Sequence, residues 1–123
     1  MQIKMSSPFA AYVFINTRLN MGKGKVAAQC MHAMRIAYGD LHNRSRETKE
    51  IWDAWESTGA KTITLKAENE NEMLMLLENF QGVDVIDAGC TQVPPDSFTV
   101  CMLFPMKARD GGFSYNGKKY KLY

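Results

Sequence analysis

The sequence predicts an α/β fold: a three-layer α/β/α sandwich in which helices cover both faces of a sheet of about four strands. Short apolar runs of strand length alternate with longer segments of helical periodicity, in the order β-α-α-β-α-β-β. Most of the strand runs are apolar enough to need cover on both faces. No internal repeat, linker or low-complexity segment interrupts the chain, which favours one domain over residues 1–123.

The first half of the chain predicts one strand and two helices. Residues 11–16 form an apolar run typical of a buried strand, and a glycine-containing loop over 17–24 follows it. Helical spacing predicts a helix over 25–38, a break over 39–43 and a second helix over 46–57. The predicted buried face of the first helix consists of Val26, Cys30, Ala33, Met34 and Ala37. The second helix is expected to turn Ile51, Trp52 and Trp55 inward.

The second half predicts three strands, one helix and a hairpin. Asn69, with Glu72 three residues later, resembles a capping box, which starts a helix over 70–80. Asn116-Gly117 is typical of a tight hairpin turn. The strands are predicted over 61–67, 83–87 and 98–104.

Composition limits the classes of protein that this chain can belong to. Apolar residues make up 46% of the 123 residues, enough for a packed core. No stretch reaches the ~18 uninterrupted apolar residues of a membrane span, and the first nine residues lack the apolar segment of a secretory signal. The odd number of cysteines, without CxxC spacing, favours free thiols and hence a cytoplasmic location. The three are Cys30, Cys90 and Cys101.

Charge is unevenly distributed although the net charge is only +2. Residues 1–39 carry five basic and no acidic side chains, residues 40–106 are predominantly acidic, and residues 107–123 are basic again. A basic start and end indicate one positive face suited to a polyanion. Small domains also segregate charge by chance, and composition alone does not decide between the two interpretations.

The segment from Met21 to Gln29 (MGKGKVAAQ) holds the most informative motif. Two glycines at the start of a helix let the backbone approach a ligand, and the open N–H groups with the lysines favour an anion or a developing negative charge. The spacing is neither that of a phosphate-binding P-loop nor GxGxxG. Taken alone, the motif favours a simple strand-to-helix turn with solvated lysines. Lys25, Gln29 and His32 share one helix face, although a lone histidine there is more often structural.

A second cluster begins at Asp87, at the carboxyl end of a predicted strand, where α/β sheets usually place their chemistry. An aspartate that forms a turn with a local side-chain hydrogen bond is the alternative explanation. Thr99, on the next strand, is expected near the same region. Neither a GxSxG motif nor a catalytic triad or metal-binding set is recognisable, so a hydrolase of this sequence would activate water directly.

These motifs together resemble the type 2 peptidyl-tRNA hydrolases. The similar segments are MGKGKVAAQCMHA at 21–33, WESTGAKTITLK at 55–66 and DAGCTQVPPDSFTV at 87–100, and the ending KYKLY also looks like the family's. The resemblance covers residues 11 to about 105. It implies a mixed four-stranded sheet, a homodimer, and an esterase that needs no metal or other cofactor. The implied partner is the acceptor end of peptidyl-tRNA, with no membrane.

The resemblance also implies a set of site residues. The family's proposed active-site positions match Lys25, Gln29, Asp87, Thr91 and Thr99, and its pattern is also matched at Lys23, His32 and Gln92. A lysine at a helix N-terminus suits the charge that develops on the ester carbonyl, and an aspartate suits orientation or deprotonation of water. Lys23, Arg18 and Arg35 are expected to bind tRNA phosphates.

The chain departs from the family pattern after the first strand. The family usually has Arg-x-Asp-Leu where this chain has Asn16-Thr17-Arg18-Leu19, and Cys90 stands where an arginine is common. These changes keep an alternative open: a tRNA-binding module of the same fold with weakened catalysis. A protein-interaction role of the acidic middle is a third hypothesis, although the solvated face and first turn of a capped helix explain those acids more simply.

Overall fold

The computed structural model describes residues 7–89 and 93–123. Four principal strands and three helices form the main elements of these residues. Their bounds are β1 Phe9–Asn16, α1 Lys23–Asp40, α2 Arg46–Ser57, β2 Thr62–Ala67, α3 Glu70–Asn79, β3 Gly82–Asp87 and β4 Ser97–Leu103. Three two-residue strands follow: β5 Met106–Lys107, β6 Ser114–Tyr115 and β7 Lys118–Lys119.

The main sheet has the strand order β2-β1-β4-β3 and is mixed. β1 and β2 run parallel, whereas β4 is antiparallel to both β1 and β3. At the β2 edge the carboxyl terminus adds backbone pairing, since Lys66 N–H donates to the Lys121 carbonyl and Tyr123 N–H to that of Thr64. β3 is therefore the outer strand at the opposite side of the sheet.

One face of the sheet packs against α1 and α2. Alternate residues of β1 enter this core layer together with α2 tryptophans, and Trp52 and Trp55 are fully buried with their rings 5.0 Å apart. The α1 residues of this layer are Val26, Ala33 and Ala37. Small side chains along α1 let the helix lie close to β3 and β4, which positions its first turns over the end of β3.

The other face packs against α3 and the carboxyl-terminal hairpin. Phe113 is fully buried among aromatic rings, and the centroid of its ring lies 4.9 Å from that of Tyr12 and 5.2 Å from that of Phe14. The hairpin of β6 and β7 turns at Asn116 and Gly117, both with positive φ, as a tight two-residue turn requires. It brings Tyr120 into the same cluster.

The α/β sandwich predicted from the sequence is confirmed, including the mixed sheet and the order of its elements. The predicted break at 39–43 is wrong at its start, because α1 continues through Gly39 and a 3-10 turn, Leu41–Asn43, follows. The predicted buried face of α1 is also wrong at Met34, which is 38% exposed. Gln29, only 3% exposed, occupies the buried side instead.

Within residues 7–89 and 93–123, no helix is long and apolar enough to cross a membrane.

Candidate active site

Two side chains that are 62 residues apart in sequence meet at the carboxyl end of β3. Lys25 lies in the first turn of α1, and its ammonium forms an ion pair with the carboxylate of Asp87, the last residue of β3. Both side chains are largely buried, at 10% and 7% exposure. The pair thus places a positive charge at the open amino-terminal end of a helix, where N–H groups already favour negative charge.

Asp87 is held from both of its oxygens. One oxygen accepts from the Lys25 ammonium, and the other accepts from the Gly89 N–H at 2.5 Å. The hydrogen bond from Lys25, followed by that from Gly89, lowers the pKa of Asp87 below its usual value of 3.8, although burial opposes the shift. The carboxyl group is therefore ionised at neutral pH.

Behind the ion pair, a second polar contact joins α1 to β4. The Gln29 side-chain amide donates to the Thr99 hydroxyl at 2.8 Å, and this hydroxyl donates to the Val85 carbonyl at 3.2 Å. Thr99 is fully buried, so its hydroxyl fixes Gln29 from behind. Among the described residues, no buried side-chain nitrogen or oxygen lacks a hydrogen-bond partner.

A β-bulge in β4 turns Thr99 toward α1. Val85 pairs with Val100 and Ile86 with Phe98, which leaves Thr99 as the extra residue between them. The side-chain alternation therefore shifts at this point, and Thr99 and Val100 both face the α1 side, whereas Phe98 faces α3. Bulges commonly re-aim side chains beside active sites.

A cleft of about 340 Å³ opens beside the ion pair, between α1 and β3. Lys25, Gln29 and Asp87 line it at one end, and His32 and Arg35 lie one and two turns further along α1. Both of the latter side chains are exposed. The structure therefore brings five of the expected site residues to one cleft, with Thr99 buried immediately behind it.

Two other expected site residues lie outside the lining of this cleft. Lys23, the first residue of α1, and Arg18, in the 3-10 turn Thr17–Leu19, are both exposed. Thr91 and Gln92, together with Cys90, lie outside the residues that the structure describes. In the described part of the chain, no group of three or more His, Cys, Asp or Glu side chains is placed to hold a metal ion.

Two contacts that support the site were not evident in the sequence. Asn16 is buried at the end of β1; its amide donates to the Phe98 carbonyl at 2.9 Å and its oxygen accepts from the Arg18 N–H. Gly89 has φ +83°, and a Cβ there would lie 2.6 Å from Pro95. The sequence signals available for this second contact are the glycine of DAG and the proline pair at 94–95, and neither motif by itself indicates that Pro95 packs against Gly89.

Comparison with known proteins identifies the family. A family model described as Peptidyl-tRNA hydrolase PTH2 matches residues 9–111, which include both halves of the ion pair. The chain belongs to this family. The resemblance seen in the GKGK and DAG segments is thereby confirmed.

Individual family members show how much of each chain is shared. Peptidyl-tRNA hydrolase of Methanococcus maripaludis is 36% identical over 100 residues, which cover 77% of this chain and 84% of the relative. The proteins of Mus musculus and Homo sapiens named "Peptidyl-tRNA hydrolase 2, mitochondrial" are 35% and 36% identical over 105 residues, or 81% of this chain. The matched segment spans little more than half of these mammalian relatives, 56% and 57%.

Proposed function

We propose that this chain hydrolyses peptidyl-tRNA, cleaving the ester between the peptide and the tRNA 3′ end. The observation that carries the proposal is the buried ion pair of Lys25 and Asp87 at the end of an open cleft. Family membership supports the choice of substrate, since the relatives are named for this activity.

The reaction needs one water molecule. Its oxygen attacks the carbonyl carbon of the ester, and a negative charge develops on the carbonyl oxygen. The bond between that carbon and the ribose oxygen then breaks, and the ribose oxygen takes up a proton that the water supplied. The products are tRNA with a free 3′ hydroxyl and the peptide carboxylic acid, which ionises.

The chain's residues divide these tasks according to their environments. Lys25 stabilises the developing carbonyl charge, since a fixed cation at a helix N-terminus is already oriented for it. Asp87, whose pKa is lowered, is a weak base, so it holds Lys25 and orients the water. Gln29 positions a substrate amide or Lys25, and Thr99 fixes Gln29.

The acceptor end of the tRNA is the proposed partner. His32 and Arg35 line the cleft beside the ion pair and are suited to the backbone nearest the ester. Lys23 and Arg18, exposed near the start of α1, are suited to more distant phosphates. We further propose that the chain forms one domain, that it is a homodimer, that it needs no metal and that it works in the cytoplasm.

The decisive assay follows release of free tRNA from an N-acetylated aminoacyl-tRNA. We expect Lys25→Ala to lower kcat by about 100- to 1,000-fold, as removal of one oxyanion-stabilising group does in other enzymes. Asp87→Asn is expected to lower it as well, because the amide no longer holds the ammonium. Lys49→Ala and Asp53→Asn, which change exposed charges on α2, are the matched controls.

Three outcomes separate the hypotheses. Loss of turnover in both site variants with unchanged controls supports the hydrolase. A wild-type protein that binds tRNA without cleaving it would instead support a binding module, with Asn16 and Arg18 as the first positions to restore. Full activity of Asp87→Asn would remove that residue from the mechanism.

A further inference from the structure

The outer edge of β3 is an unpaired strand edge beside the ion pair. β3 is the terminal strand of the sheet, and no other strand among residues 7–89 and 93–123 pairs with its outer side. The Phe104 N–H donates to the Gln81 carbonyl, just before β3 begins. The backbone N–H and carbonyl groups of the odd-numbered β3 residues Val83 and Val85 therefore point toward β4. Because antiparallel pairing alternates, the backbone groups of Gly82 and Asp84 point outward.

The cleft follows this edge. Val85, Ile86 and Asp87 line it on the sheet side, whereas His32, Arg35 and Ile36 line it on the helix side. Since β3 is the outermost strand, a gap between β3 and α1 opens sideways past the free edge. An extended chain in this cleft would lie alongside β3, with one end at the Lys25–Asp87 pair.

We propose that the peptide part of the substrate adds as an extra strand to the outer edge of β3. This inference rests on the proposed hydrolase function and names how the same site recognises the peptide. The ester lies at Asp87, and the preceding residues run back toward Gly82, parallel to β3. Strand addition uses main-chain hydrogen bonds, which every peptide sequence offers except at proline. It thus suits an enzyme whose substrates share a backbone and little else.

The structure also sets the length of this subsite. The Arg44 guanidinium donates to the Gly82 carbonyl at 3.3 Å and so closes the open edge at its amino end. The open stretch runs from Asp84 to Asp87, three residue steps or about 10 Å in a strand. We therefore expect recognition of about three substrate residues, counted back from the ester, and no gain beyond them.

The first experiment measures kcat/KM for N-acetylated substrates that carry one, two, three and four amino acids on the same tRNA. We expect kcat/KM to rise by about three- to tenfold for each strand hydrogen bond gained. The rise should continue up to the substrate with three residues, and a fourth residue should add nothing. A second series places a single N-methyl group on the amide of the second or of the third residue. Only every other N–H of a strand faces its neighbour, so one of the two N-methyl groups should remove the gain and the other should not.

A variant tests the protein side of the same contact. Asp84→Pro removes an outward N–H, which an edge strand tolerates better than a central one. We expect the ratio of kcat/KM for the three-residue to the one-residue substrate to fall toward one. Asp84→Asn keeps the N–H and changes the exposed side chain, so it should keep the wild-type ratio. Far-ultraviolet circular dichroism checks that both variants fold, and the N-methyl series decides the question if Asp84→Pro does not.

Failure of the two proposals can be told apart. If the wild-type protein cleaves every substrate with equal kcat/KM and both N-methyl positions are neutral or equally harmful, strand addition is wrong while the hydrolase stands. If none of the substrates is cleaved, the proposed function is wrong, and the peptide subsite that depends on it falls too.

Discussion

The two faces of the sheet differ in the kinds of side chain that they bury. On the α3 side, aromatic rings pack around Phe113, and on the α1 side, the core continues into buried polar groups at Gln29, Asp87 and Thr99. Buried polar groups are stable only where each finds a partner, so they are costly to place and informative when present. Both faces thus contribute apolar core, the α1 side through Trp52 and Trp55, and the end of the α1 face also holds the candidate chemistry.

A large stability effect is expected on the aromatic face, which is the α3 side with the rings of Phe14, Phe80 and Phe113. Phe113→Ala removes a fully buried ring with four ring contacts and the stacked Arg109 guanidinium, and should lower the free energy of unfolding by about 3–5 kcal/mol. Thermal or urea unfolding measures this change. Turnover per folded molecule should stay near wild type, and Phe113→Leu, which keeps most of the volume, should lose less stability. A specific loss of kcat in folded Phe113→Ala would contradict the division between the faces.

Thr99→Val tests the buried polar groups at the end of the α1 face and is expected to have a smaller effect on stability. It removes the hydroxyl that joins Gln29 to the Val85 carbonyl, and leaving buried polar groups unpaired costs about 1–3 kcal/mol of stability. Because Gln29 loses its anchor, kcat should also fall, by about tenfold if the lost positioning is worth one such hydrogen bond. Thr99→Ser retains the hydroxyl and should retain most of the activity. Unchanged turnover in Thr99→Val would make this contact structural only.

Sequence patterns were informative for the two faces to different degrees. The GKGK and DAG motifs drew attention to Lys25 and Asp87, whose side chains meet in the structure, since a motif keeps its residues together along the chain. The Gln29–Thr99 hydrogen bond depends on the β-bulge where the β3–β4 register shifts between Val85 and Ile86. The alternation of apolar residues in the sequence does not predict this bulge. Helical spacing likewise placed Met34 inside, because it cannot anticipate that a glutamine will be buried by pairing with a threonine.

Acidification should weaken the two faces unequally. Because its folded-state pKa is lowered below 3.8, Asp87 contributes stability that is present above that value and is lost as the pH falls through the folded pKa. The difference in unfolding free energy between the wild type and Asp87→Asn should then be constant from pH 7 to about pH 5 and shrink below about pH 4. Phe113→Leu, which changes no ionisable group, should show a difference that lacks this acid dependence. Urea titrations across the pH range measure both, and a constant difference for Asp87→Asn down to pH 3 would contradict the assigned shift.

The smallest effect is expected from the ion pairs at the border of the aromatic face. Lys118 bonds to Glu72 and lies 3.2 Å from a Glu68 oxygen, with its side chain 34% exposed. Partial burial works to lower the pKa of Lys118, but the hydrogen bonds that its ammonium donates to the Glu72 and Glu68 carboxylates outweigh it and raise the pKa above 10.5. Such a raised pKa contributes stability that is fully present below 10.5 and is lost as the pH rises through the folded value. Lys118→Met should therefore lower the free energy of unfolding by at most about 1 kcal/mol near pH 8, and this difference from the wild type should narrow above pH 10.5.

Added salt should narrow the same difference in unfolding free energy, because a partly exposed ion pair is screened, whereas the loss in Phe113→Ala should not shrink with salt. A Lys118→Met loss as large as that of Phe113→Ala would mean that the hairpin is held by charge and not by its rings.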